Sequence, residues 1–177
     1  MLDPSIIVLA SRIGAGKSTL ARALAEVSGL PVVSFGQYVK SIATERKVPL
    51  SRENLQTVGE ELVASDPKEF TRRALASIDF RIGAIVDGLR HQTVLTEIRS
   101  LAPDLPIAVV FMQVADEIRL ERLTARGMSA DEILRANNHP MELAVEEQLL
   151  PLADLVLDST IPAETNASTV AERIGAS

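Results

Sequence analysis

The sequence predicts an α/β fold built on a parallel sheet, and three observations carry that prediction. The first is the run Ser5-Ile6-Ile7-Val8-Leu9-Ala10-Ser11-Arg12-Ile13-Gly14-Ala15-Gly16-Lys17-Ser18-Thr19, an apolar strand ending in a glycine loop that opens a helix. The second is the repeated alternation of short apolar segments with longer stretches of helical period, the pattern of strands joined by crossover helices. The third is length: 177 residues suit one domain with a sizeable core, and no internal repeat or low-complexity segment divides them.

Taken in order, the predicted strands are residues 5–10, 31–35, 82–87, 107–114 and 154–158. The first helix follows the glycine loop, with Leu20, Ala23, Leu24 and Val27 on one face and Gly29 as its stop. Asp66-Pro67-Lys68-Glu69 predicts a helix start, with an N-cap, a proline in the first turn and a capping-box glutamate. Asp116 and Ser129 are similar starts, and a last helix is expected from about Ala167 to Ile174. Between the second and third strands lie about 45 residues of mainly helical pattern, longer than a simple crossover needs.

The glycine loop has a chemical meaning. Amides at a helix N-terminus and the positive end of the helix dipole both favour an anion. Gly14 and Gly16 let backbone approach phosphates, Lys17 reaches the terminal ones, and the Ser18 hydroxyl suits Mg²⁺. The expected nucleotide-binding set is therefore Ile13, Gly14, Ala15, Gly16, Lys17, Ser18 and Thr19, with ATP and Mg²⁺ as cofactors. Ser11 stands where G-x-x-x-x-G-K-S/T has its first glycine, which is acceptable provided its φ stays negative.

Further residues extend the pattern. Asp87 ends a buried strand, where parallel sheets bind ligands, and joins Ser18 as the expected metal pair; a plain Asp-Gly turn is the alternative. Gly88 follows it, so this strand supplies no hydrolytic glutamate, and no Asn-Lys-x-Asp string is present. Both absences favour phosphoryl transfer over hydrolysis. Arg90, just past the strand, suits an acceptor phosphate, unless it merely pairs with Glu97 or Asp104. Arg119, Arg122 and Arg126 recur at helical spacing, with Arg135 beyond; arginines of this kind stabilise a transferring phosphoryl group. A solvated helix with Glu117 and Glu121 as partners is the alternative. His91 and His139 read as ordinary loop histidines, and Glu142, Glu146 and Glu147 as a solvated helix face.

Composition sets bounds. Zero cysteines exclude disulfides and thiolate metal sites. The net charge of −6 and the 3% of aromatic residues disfavour a nucleic-acid surface. No apolar run approaches the ~20 residues of a membrane span, and the first strand begins too early for a signal peptide. A cytoplasmic protein, monomer or homodimer, with no nucleic-acid or membrane partner is expected.

In this order the motifs resemble small-molecule kinases of the nucleoside-monophosphate-kinase type. Pro31 to Gly36 is similar to their second strand running into an acceptor-binding helix, with Gln37 and Lys40 replacing the usual aspartate and arginine. Pro49 to Glu61, and Asp87-Gly88-Leu89-Arg90 with Glu97 and Arg99, resemble deoxynucleoside-monophosphate kinases. Arg122 to Arg126, Arg135 and Ala153 to Ser159 are more similar to dephospho-coenzyme A kinase, whose glutamine after the last lid arginine is here Asn137-Asn138. The resemblance implies a three-layer P-loop NTPase fold with sheet order 2-3-1-4-5. It also implies an acceptor-binding helical region at 36–80, a short lid at 119–139 and an adenine-side loop at 159–162, all in a single kinase domain spanning 1–177. The implied reaction is ATP- and Mg-dependent transfer to a nucleotide-like small molecule: a nucleoside or deoxynucleoside monophosphate, or dephospho-coenzyme A. Lys17, Arg90, Arg122 and Arg126 would be catalytic and Arg52 would help to grip the acceptor. The alternative is a nucleotide-binding regulatory module without transferase activity, suggested by Ser11, Gln37 and Lys40.

Overall fold

The structure is a computed structural model that describes residues 3–175. Five strands, β1 (Ser5–Ser11), β2 (Val32–Ser34), β3 (Gly83–Leu89), β4 (Ile107–Gln113) and β5 (Leu155–Asp158), form one sheet of order β2-β3-β1-β4-β5. Every neighbouring pair is parallel. Topology and order are as the sequence and the resemblance predict.

Alternation along β1 builds two cores. Ile6, Val8 and Ala10 face one side, against α2 (Phe35–Glu45), α3 (Arg52–Ser65), α4 (Pro67–Ala74), α5 (Gln92–Leu101) and α8 (Pro140–Leu149). Ile7 and Leu9 face the other, against α1 (Lys17–Ser28) and α9 (Ala163–Gly175). Both faces are covered, so the central strands read as unbroken apolar runs. A smaller cluster joins Ile13 to Leu123 of α6 (Asp116–Ala125) and Ile133 and Ala136 of α7 (Ala130–Asn138).

Local chemistry explains most boundaries. Gly29, at φ 75°, ends α1 and donates its N–H to Ala25 O. Ser34 caps α2 through Gln37 N, so Phe35 opens a helix instead of ending a strand as predicted. Ser51 and Asp66 cap α3 and α4. Glu69, however, spends its carboxylate on Arg72 and Arg73 rather than closing a capping box. That box is complete at Ser129 and Glu132. Asp116 lies one residue inside α6, whose cap is Ala115. The last helix begins four residues earlier than expected, at Ala163, because Pro162 O already accepts from Asn166 N.

One irregularity bears on the site. Leu9 pairs with Asp87 but Ala10 pairs with Leu89, so Gly88, at φ 103°, is an extra residue in β3. Such a bulge turns the strand and re-aims the side chains that follow. It separates Asp87 from Arg90 at the carboxyl edge of the sheet.

Candidate functional site

The glycine loop lies between β1 and α1. Ser11 is buried and donates its hydroxyl to Arg12 O at 2.9 Å. Lys47 is the only non-glycine among the described residues with positive φ, so Ser11 carries no backbone strain. Gly14 and Gly16 do sit at φ 86° and 88°. A Cβ on Gly14 would also lie 3.0 Å from Arg119 Cγ and 3.1 Å from Leu123. The amides of Gly14, Gly16, Lys17 and Ser18 make no hydrogen bond among the described residues. Four such donors around the N-terminus of a twelve-residue helix form an anion nest.

Both polar backbone atoms of Ile13 are held by buried side chains. Its N–H donates to Glu142 Oε2 at 2.8 Å, and its carbonyl accepts from Arg119 Nη1 at 3.4 Å. Arg119 also binds Asn137 at 2.7 Å and Asp116 at 3.0 Å and is only 2% exposed. It braces the loop from behind.

On the other side of the nest, Ser18 Oγ donates to Asp87 Oδ2 at 2.8 Å and Lys17 Nζ lies 3.8 Å from Asp87 Oδ1. That Oδ1 is buried without a hydrogen-bond partner. Burial, then the Arg90 charge, lowers the Lys17 ammonium to about 8, against the opposing pull of Asp87 and Glu142. A hydroxyl beside a carboxylate with a spare oxygen fits Mg²⁺, which commonly takes one or two protein ligands and fills its shell with water and phosphate. No cluster of three or more His, Cys, Asp or Glu is present among the described residues, so a dedicated protein cage is not the arrangement here.

Glu142 overturns the expectation of a solvated helix face. It is wholly buried, and its Oε1 accepts from Arg52 Nη2 at 2.8 Å and from Arg90 Nη1. Burial alone would raise its carboxyl, but Arg90, the Ile13 amide and Arg52 outweigh that and hold it below the ordinary range. The sequence did carry a signal: Glu142 shares the i, i+3, i+7 stripe of Val145 and Leu149, both fully buried. An acid on an apolar stripe needs a cationic partner, and the half-buried Arg52 and Arg90 supply two. Arg90 thus pairs with neither Glu97 nor Asp104. Glu146 is half-buried beside Gln113 and Arg12, while Glu147 is exposed as predicted.

Arg52 and Arg90 border a cavity of about 480 Å³ whose walls include Lys17, Asp87, Phe35, Val39, Phe70 and Met141. Phe35 and Phe70 stack with centroids 5.3 Å apart. Gln37 and Lys40 also line this space, as does His91. Burial, then Arg90, lowers the His91 pKa. His139 caps α8 by accepting Met141 N at Nδ1, which also lies 3.6 Å from Glu60 Oε1. A second cavity, of about 500 Å³, lies between Gly16, Thr19, Arg122, Arg126 and residues 159–163. Arg122 is pinned there, donating to Ser159 Oγ and Ser159 O, both at 2.8 Å. Arg126 is exposed at the rim, and Arg135 borders a separate cleft beside Arg52.

A phosphate nest at the carboxyl edge of a 2-3-1-4-5 parallel sheet, with a cavity on each side, defines a P-loop protein of the kinase type. The AAA domain family matches residues 7–144, and the chain belongs to that family. It is 30% identical over 134 residues to a UPF0200 protein of Thermococcus onnurineus (strain NA1), covering 71% of this chain and 70% of that one. It is 32% identical over 124 residues to the adenylate kinase of Thermotoga maritima, covering 64% of this chain; the match spans about half of the kinase, 54%. Shikimate kinase from Acinetobacter baumannii, in complex with shikimate, shares the fold with a TM-score of 0.63 at 17% identity, over 97% of this chain and 93% of that one. The resemblance to P-loop small-molecule kinases is borne out. Among the described residues no helix is long and apolar enough to cross a membrane.

Proposed function

We propose that the protein transfers the γ-phosphoryl group of ATP to an anionic, nucleotide-like small molecule. The observation that carries this reading is the pair Arg52 and Arg90, two guanidinium groups facing a cavity that adjoins Lys17 and Asp87 but lies apart from the donor cavity. A hydrolase has no need of a second cationic pocket with an aromatic wall. The adenylate kinase and UPF0200 relationships support the same class.

In this reading the free loop amides and Lys17 hold the donor phosphates, and the base lies in the cavity by Arg122 and residues 159–162. Asp87 and Ser18 hold Mg²⁺, which neutralises phosphate charge when bound. Arg52 and Arg90 grip the acceptor anion and aim its nucleophilic oxygen at the γ-phosphorus. A P–O bond forms there as the β–γ bridging bond breaks, ADP departs, and the acceptor proton passes to solvent. Positioning and charge stabilisation dominate this chemistry, so a strong general base is unnecessary. The segment of α6 and α7 closes over the donor with Arg122 and Arg126 and excludes water.

The regulatory-module alternative loses its support at Ser11, which is unstrained. Gln37 and Lys40 border the acceptor cavity, where they alter the acceptor and not the donor. The test is ADP release from MgATP with a panel of nucleoside and deoxynucleoside monophosphates, dephospho-coenzyme A and shikimate, with Lys17→Ala as control. Turnover with one acceptor class, abolished in the variant, is expected. ATP binding without turnover on any acceptor would refute the transferase reading.

A further inference from the structure

Glu142 presents its two oxygens to two different subsites. Oε2 receives the Ile13 N–H of the phosphate loop at 2.8 Å; Oε1 receives Arg52, at 2.8 Å, and Arg90. The acid is wholly buried, whereas the arginine side chains remain 37% and 19% exposed. The carboxylate is therefore the fixed member of the group, and both arginines border the cavity. Two guanidinium charges share one carboxylate, which leaves one net positive charge for an incoming anion. Stability alone does not account for the arrangement, because a buried ion pair is often no better than apolar residues of the same volume.

We propose that Glu142 is a positioning residue that fixes the spacing between the phosphate loop and the acceptor arginines. One buried carboxylate then sets the distance across which the phosphoryl group moves. The inference rests on the kinase reading above and adds to it a residue that touches neither substrate. Shortening the side chain by one methylene, about 1.5 Å, keeps the charge but pulls the clamp and the loop out of register. Misplacement on the scale of 1 Å costs a transfer reaction about a hundredfold.

The test uses the full chain and the magnesium salts of inorganic tripolyphosphate and pentapolyphosphate, titrated by calorimetry. These probes need no knowledge of the acceptor. The wild type should bind the pentaphosphate at least about tenfold more tightly, since its far end reaches Arg52 and Arg90. Glu142→Asp and Glu142→Gln should weaken both probes through the lost Ile13 tether, but the pentaphosphate much more, so that most of the length preference disappears. Val145→Ala, a core change on the same helix, should lower the Tm and keep the preference. Once an acceptor is in hand, Glu142→Asp should lower kcat about a hundredfold, well beyond any rise in KM for ATP. A folded Glu142→Asp protein that keeps the length preference overturns the proposal. So does a wild type with no preference, or failure of both Glu142 variants to fold, which would assign the residue to folding alone. If the wild type binds neither polyphosphate, the donor-site reading falls first and takes this inference with it.

Discussion

Raising the pH should weaken nucleotide binding through Lys17, and the structure sets the size of the effect. The ammonium is enclosed, with only 12% of its side chain exposed, and titrates at about 8 instead of 10.5. It is then roughly 90% charged at pH 7, half charged at pH 8 and about 10% charged at pH 9. Donor phosphates require the charged form, so the apparent Kd for MgATP should rise roughly eightfold between pH 7.5 and 9, about 1.2 kcal/mol. Near pH 8 binding should take up about half a proton, visible as a dependence of the calorimetric heat on the buffer's ionisation enthalpy. The stability of the unliganded protein should move the other way. The unfolded chain binds more protons than the folded one between about 8 and 10.5, so the Lys17 contribution grows more favourable as pH rises through that window. Below it the buried charge costs on the order of 3 kcal/mol. Lys17→Met should therefore abolish the pH dependence of binding and stabilise the empty protein at pH 7. Flat affinity from pH 7.5 to 9 with no proton uptake would refute the argument, as would a Met variant less stable than the wild type.

Other consequences are as direct. Gly83→Ala would put a Cβ 2.1 Å from the Ser5 carbonyl at φ +91°, so denaturant unfolding should show a loss of at least about 3 kcal/mol. Gly29→Ala, at φ +75° with open space around it, should lose only about 1–2 kcal/mol. Glu142 is held below the usual carboxyl value of 4.5, so its stabilisation is complete above that pH and disappears as pH falls through the lower folded value. The acid limb of the wild-type Tm profile should be steeper than that of Glu142→Gln. Asp87→Asn should reduce the magnesium enhancement of ATP binding at least about tenfold while metal-free binding persists, measured by titration with and without chelator.

Much of this was legible before any coordinates. The five strands and the loop at residues 13–19 follow from apolar alternation and glycine placement, which are local signals, whereas the order of the strands followed only from the resemblance to small-molecule kinases. Phe35 escaped because a β-prone residue becomes helical once Ser34 caps it. Glu142 escaped because its partners, Arg52 and Arg90, lie 90 and 52 residues away. Arg119, Arg122 and Arg126 share one helical spacing but meet different surroundings: a loop carbonyl, the Ser159 backbone and solvent. Helical period gives a direction around an axis and no information about what lies there.

The double tether on Ile13 has a thermodynamic consequence. With its N–H and its carbonyl each tied to a buried side chain, this stretch reaches its working shape when the chain folds, before any nucleotide arrives. Ordering a residue costs about 1–2 kcal/mol, and here that expense is met during folding and not at each encounter. Capture at the loop then amounts to docking on a preformed seat.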